Sequence, residues 1–236
     1  MRGHKPFETD VETIGHYKYT GDAAPLSSKI ANKRQSELIF SCLQNREIKS
    51  IIDIGCGDGT YTTELAEFND VSVLGIDPSL KAIDFARKNN PKPGKLTFSN
   101  MTVDEVVNNK QIYDCAILRG VLHHCENPSE IVQSAAKIAR YLVILEPNGL
   151  NPLLKIIEKT SSYHISHGER SFSRKKIEKW IANSGMHTDE VKFGVTVPFF
   201  APDRLVIILD RFDLFARKIP VLKHIFLSTQ VFSASR

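Results

Sequence analysis

The sequence predicts an α/β chain with a mainly parallel sheet, and three observations carry the prediction. Ser50–Ile54 is a short apolar run, rich in β-branched isoleucine, that ends in a glycine turn (IIDIGCGDGT over Ile51–Thr60). Val71–Ile76 is a second apolar run, closing on Asp77. Segments with helical patterning, Pro78–Lys88 and Pro128–Arg140, alternate with such runs, which is the order of βαβ units.

Each element has a local reason. A strand buried on both faces reads as a near-continuous apolar run, as Ser50–Ile54 does. Thr60 is placed to cap a helix reaching about Phe68. The Pro128–Arg140 helix has a strong start, with Asn127 as cap, Pro128 first and Glu130 third. An irregular insertion, Pro147–Phe172, precedes a helix over Ser173–Ser184 that Gly185 stops. Two late strands, near His187–Val197 and Ile225–Ser235, complete the sheet. The expected domain layout is an N-terminal helical cap over 1–45 and a main domain over 46–236, with the 147–172 insertion and a helical crossover at 198–224.

The glycine turn is the first candidate site. Gly55, Gly57 and Gly59 lack a β-carbon, so the chain can take positive φ there and a ligand can lie against bare backbone. Ligands in open α/β sheets sit at the carboxyl ends of strands. Asp77 stands where a ribose-binding carboxylate follows a glycine turn; capping the helix that starts at Pro78 is its structural alternative. The spacing is G-x-G-x-G, where dinucleotide sites use G-x-G-x-x-G. Asp53 precedes it and Asp58 lies inside it. Carboxylates there repel a pyrophosphate and attract an amino group or a sulfonium. The expected ligand therefore carries a ribose and positive charge, and no G-x-x-x-x-G-K-[ST] phosphate loop occurs in the chain.

On these residues the chain resembles the class I S-adenosylmethionine-dependent methyltransferases. Ile51–Thr60 resembles their first motif and Gly75–Ser79 (GIDPS) their second. Ile112–Asn127 (IYDCAILRGVLHHCEN) is similar to their fourth strand and its loop, and Tyr141–Asn148 (YLVILEPN) to their fifth strand. The resemblance is strong over about 48–148 and looser beyond. It implies a Rossmann-like, seven-stranded, mostly parallel sheet with an antiparallel edge strand and helices on both faces. It also implies S-adenosyl-L-methionine as cofactor, held by Asp53, Gly55, Cys56, Gly57, Asp77, Pro78, Asn100, Met101 and Arg119. In that set Asp53 and the glycine turn face the methionine part, and Asp77 faces the ribose. Asn100, after a third strand at Lys95–Ser99, faces the adenine; the family usually has Asp there.

Methyl transfer asks little of side chains beyond positioning, which is worth up to about 7–11 kcal/mol. A base is needed where the acceptor must lose a proton. His124, in the loop after the fourth strand, is the catalytic candidate, with His123 beside it; hydrogen-bonded structural histidines are the alternative. The run His123-His124-Cys125-Glu126 cannot easily converge on one ion, and no metal is expected. His164, His167 and Glu169 are better spaced, though a solvated loop accounts for them too. Arg170 could hold an anionic acceptor or pair with Glu169. Tyr17, Tyr19 and the Ser27–Leu43 segment could close over the cofactor cleft.

Composition narrows the partners. Lys and Arg exceed Asp and Glu by only four formal charges, without the clustered basic footprint of a nucleic-acid binder. Cys42, Cys56, Cys115 and Cys125 form no C-x-x-C pair, which suggests reduced thiols in a cytoplasm. The start lacks an apolar signal region, and no run is long enough to span a bilayer. Arg204–Lys223 mixes apolar and basic residues. As a helix it suits either a core-packing crossover or a peripheral membrane contact through 204–223. The sequence thus reads as a methyltransferase for a small or lipid-like acceptor, most simply at oxygen. A nicotinamide-dependent oxidoreductase and a non-catalytic membrane-associated binding module are the alternatives.

Overall fold

A computed structural model describes residues 24–68, 70–161, 170–199 and 201–236. The strands are β1 (Ser50–Ile54), β2 (Ser72–Ile76), β3 (Leu96–Ser99), β4 (Tyr113–Arg119), β5 (Ala139–Pro147), β6 (His187–Gly194) and β7 (Thr229–Ser235). They form one seven-stranded sheet in the order β3-β2-β1-β4-β5-β7-β6. The pairs β1–β2, β2–β3, β1–β4 and β4–β5 are parallel. β7 runs antiparallel to both β5 and β6, which leaves β6 on the edge.

Helices α1 (Leu26–Leu43), α2 (Thr60–Leu65) and α3 (Leu80–Lys88) precede β1, β2 and β3 in turn. Then come α4 (Val103–Asn108), α5 (Pro128–Ile138), α6 (Pro152–Thr160), α7 (Arg174–Asn183), α8 (Asp203–Ala216) and α9 (Pro220–Phe226). Alternation along the strands divides the core into two layers. Ile51, Cys115, Ile117, Val143 and Leu145 pack with Leu38, Leu43 and Ile83 of α1 and α3. Ile52, Ala116, Leu118, Leu142 and Ile144 pack with Val106, Val132, Ala135 and Ile177 of α4, α5 and α7. Truncating a side chain such as Ile52 or Leu118 to Ala, both fully buried, costs about 2–5 kcal/mol.

Several boundaries differ from the sequence expectation. α2 stops at Leu65, and its cap position is Gly59, with Thr60 the first helical residue; the Thr60 N–H donates to Asp58 Oδ1 at 3.0 Å. The helix expected from Pro78 starts at Leu80, because the Ser79 hydroxyl accepts from the Ala82 N–H. α5 ends at Ile138, and the chain is extended from Ala139 into β5. The 147–172 insertion is not wholly irregular, since Asn151 caps α6 by accepting from the N–H groups of Leu153 and Leu154. The last strand begins at Thr229, after α9, and β6 ends at Gly194. α4, started by a capping box between Thr102 and Glu105, was not foreseen.

Candidate active site

The glycine turn sits at the carboxyl ends of β1 and β2. Gly55, Gly57 and Gly59 all take positive φ, at 76°, 55° and 79°. At Gly55 the absent β-carbon also matters sterically: one built there would lie 2.7 Å from Val121 Cγ2, in the loop after β4. The Gly55 and Cys56 N–H groups donate to the Ile76 carbonyl at 2.8 and 3.0 Å, which ties the turn to β2.

Asp77 is buried, and its carboxylate accepts from the Gly57 N–H at 3.0 Å and from the Ser79 N–H at 2.8 Å. It is therefore held rigidly between turn and helix, while Ser79 takes the capping role considered for it. Asp53 is buried as well and accepts from the Thr62 hydroxyl at 2.6 Å. Burial pushes its carboxyl up to about 6, against the opposing pull of Thr62 and Arg119, with Asp77 raising it further. Cys56 is half-buried in the turn, and burial beside these acids pushes its thiol well up. The Asn100 amide donates to the Asp77 carbonyl at 2.9 Å and is otherwise exposed; Met101 packs against the core beside it.

Arg119, the last residue of β4, ties that strand to α1. Its guanidinium donates to the Ser36 hydroxyl at 2.9 Å and the Asn32 carbonyl at 3.1 Å, both on α1. It also lies 3.9 Å over the Tyr61 ring, a cation–π contact. Burial lowers its pKa while the nearby acids act the other way. The buried residues of α1 include the polar Ser27, Ser28, Asn32 and Ser36, of which Ser27 and Ser28 donate to the Phe199 carbonyl. Arg34 pairs bidentately with Asp210 of α8, at 2.7 Å for each bond. Tyr17 and Tyr19 lie outside the described residues.

On the other side of the sheet tip, the β4 loop is organised by a residue the sequence reading did not single out. Glu146 of β5 is fully buried. Its Oε1 accepts from the N–H groups of Val121 and Leu122, at 2.9 and 2.7 Å, and its Oε2 lies 2.8 Å from His123 Nδ1. The expected base is His124; its ring is half-buried and lies tilted at 45° against that of His123, centroids 3.9 Å apart, while the carboxylate goes to His123. An acid ending an otherwise apolar strand, in YLVILEP, was the available signal. Arg170 donates to the carbonyls of Cys125 and Glu126 and so clamps this loop. No metal-holding cluster is present among the described residues; His164, His167 and Glu169 lie outside them.

Comparison with known proteins decides the family. A family model described as a methyltransferase domain matches residues 28–191. The chain belongs to this methyltransferase family. The methyltransferase is 26% identical over 163 residues to the ubiquinone biosynthesis O-methyltransferase of Rickettsia conorii, covering 65% of this chain and 53% of the relative. It is 30% identical over 94 residues to the enzyme of that name from Vibrio vulnificus, covering 39% of this chain and 40% of the relative. The match thus spans about half the length of these relatives, or less. Among solved structures, magnesium protoporphyrin IX methyltransferase from Synechocystis PCC 6803, with bound SAH, superposes with a TM-score of 0.64. That pair shares 17% identity over 92% of this chain and 90% of the other, a likeness of fold. The fold of the methyltransferase is accordingly the Rossmann-like class I arrangement expected from its motifs.

The donor set suits S-adenosylmethionine. Three carboxylates, Asp53, Asp58 and Asp77, are buried about the turn, which favours a cation with a ribose over a diphosphate. Asp77, fixed by two backbone N–H groups, is a carboxylate that could accept from vicinal hydroxyls.

Proposed function

We propose that the protein moves a methyl group from S-adenosylmethionine to an oxygen of a small or lipid-like acceptor, in the cytoplasm and against a membrane surface reached through 204–223. The observation that carries the reading is the ring of buried carboxylates around a positive-φ glycine turn, in a chain of the methyltransferase family. When bound, the cofactor supplies a methyl already activated by a sulfonium. Asp53, Gly55, Cys56 and Gly57 hold its methionine end, with Arg119 fixing α1 to β4. Asp77 and Pro78 hold the ribose, and Asn100 and Met101 border the adenine.

The acceptor's proton passes to the His123–His124 pair. Glu146 at Nδ1 favours His123 as the base, because a carboxylate there accepts a hydrogen bond from Nδ1–H and so leaves Nε2 as the proton acceptor. The relatives named for ubiquinone biosynthesis support a phenolic, quinone-like oxygen as nucleophile. Incubation with S-adenosylmethionine and a panel of phenolic acceptors, with and without isoprenoid tails, tests the reading. Formation of S-adenosylhomocysteine with stoichiometric methyl ether is expected; methylation only at nitrogen or carbon would overturn the oxygen assignment.

A further inference from the structure

Helix α8 was open to two readings, a core-packing crossover or a membrane contact, and its faces separate them. Val206, Asp213 and Ala216 point inward and are buried. The outward stripe of the helix runs Arg204, Ile207, Ile208, Arg211, Leu214 and Phe215, and Lys218 follows in the turn just past its end, every one exposed. Those positions recur at helical spacing. A cation stands at each seventh residue, with an apolar pair between successive cations. Neither acid in mid-helix joins the stripe: Asp210 pairs with Arg34, and Asp213 is buried against Arg217.

Two further helices extend this face. α9 packs on α8, with Phe212 and Phe226 in edge contact at 6.2 Å. α6 is joined to α9 through Asn151, whose amide donates to the Phe226 carbonyl at 3.0 Å. No residue of α6 is buried, although it carries Leu153 and Ile156, more than half exposed. Val221, Ile225 and Phe226 are exposed on α9. Among the described residues, the exposed large apolar side chains outside these helices are Leu26, Leu80, Ile112 and Leu150, the last leading into α6. An apolar surface this concentrated marks an interaction site.

We infer that α6, α8 and α9 together form a docking face for an anionic lipid bilayer, on which the enzyme lies with these helices in the headgroup plane. Charge complementarity selects the occupant. Arg204, Arg211 and Lys218 interrupt the apolar stripe at regular intervals against one exposed acid, Asp203 at the start of the helix, so a second copy of the same face would set an excess of cations against cations. Long basic side chains over apolar neighbours instead extend toward phosphates while the apolar groups enter the acyl boundary. The inference deepens the acceptor reading and rests on it in one respect only. The Arg170 clamp joins the insertion carrying α6 to the His123 loop, so an acceptor with a lipid tail would arrive from the bilayer. Binding to the bilayer itself does not depend on catalysis.

Co-sedimentation of the full chain with phosphatidylglycerol-containing and pure phosphatidylcholine vesicles tests the face, with adenosylmethionine affinity measured in parallel by calorimetry. Strong, salt-sensitive binding to the anionic vesicles is expected. Replacing Arg204, Arg211 and Lys218 by Gln should lower it about fivefold per cation removed. The Ile208→Glu, Phe215→Glu double variant should abolish it, with cofactor affinity and melting temperature unchanged. Equal binding to neutral vesicles, no binding to either, or a dimer that both variant sets dissociate would overturn the inference. Loss of cofactor binding with vesicle binding intact would instead strike only the methyltransferase reading.

Discussion

The two halves of the cleft share one device, a buried carboxylate that accepts main-chain N–H groups, and differ in how far their contacts reach. In the β1–β2 half Asp77 takes two backbone N–H groups, one of them 20 residues earlier, Asp53 takes Thr62, and the glycine turn returns to Ile76. The β4–β5 half uses a similar buried carboxylate, Glu146, reaching back to a loop 23 to 25 residues earlier, and adds Arg170, which reaches 45 residues back. Beyond it the surface is apolar and open. A fixed ligand can be served by one rigid motif, whereas acceptor specificity is spread over side chains brought together only by folding.

The largest effect expected from breaking this contrast is at Glu146. Glu146→Ala leaves the Val121 and Leu122 N–H groups and His123 without their buried acceptor, and should cost about 3–5 kcal/mol in urea unfolding. A loss below about 1 kcal/mol would show that the β4–β5 half does not depend on this carboxylate. Next comes Asp77→Ala, which should weaken adenosylmethionine binding by about 2–3 kcal/mol in calorimetry. Unchanged affinity would remove the ribose role.

The Asp53 carboxyl sharpens the comparison through pH. Burial holds its folded value at about 6, above the ordinary carboxylate value of about 3.9. The folded state therefore binds the proton more tightly, and stability falls as pH rises from about 4 through about 6. Cofactor affinity moves the other way, declining as pH drops through about 6 and the attracting charge is lost. Asp53→Asn should flatten both profiles; a pH-independent wild-type affinity between 5 and 8 would contradict the electrostatic account. The smallest effect is expected at the rim. Arg34→Ala breaks a partly exposed pair with Asp210 and should cost about 1 kcal/mol or less in thermal unfolding.

The same contrast explains what could be read in advance. Strands β1 and β2, the glycine turn and Asp77 were legible because apolar runs and positive-φ glycines are local signals. The α4 capping box at Thr102 and Glu105 is equally local, but the six residues it starts carry little periodicity. The helix expected through Arg140 ended early because parallel pairing with β4, from Tyr113 opposite Ala139 onward, claims the backbone there. The partnership of Glu146 with His123 was invisible for another reason: nothing in the spacing of the two residues says which histidine the carboxylate will meet. Arg119 was expected near the cofactor, yet its hold on Ser36 and Asn32 depends on how α1 crosses the sheet.

The account depends most on buried carboxylates at a bare turn choosing a cationic nucleoside over a diphosphate. Titrating the purified protein with S-adenosylmethionine and with NADH in one calorimeter tests that choice directly. Saturable heat with S-adenosylmethionine, lost in Asp77→Ala, and none with NADH is the predicted result. Tight NADH binding with no response to S-adenosylmethionine would contradict it.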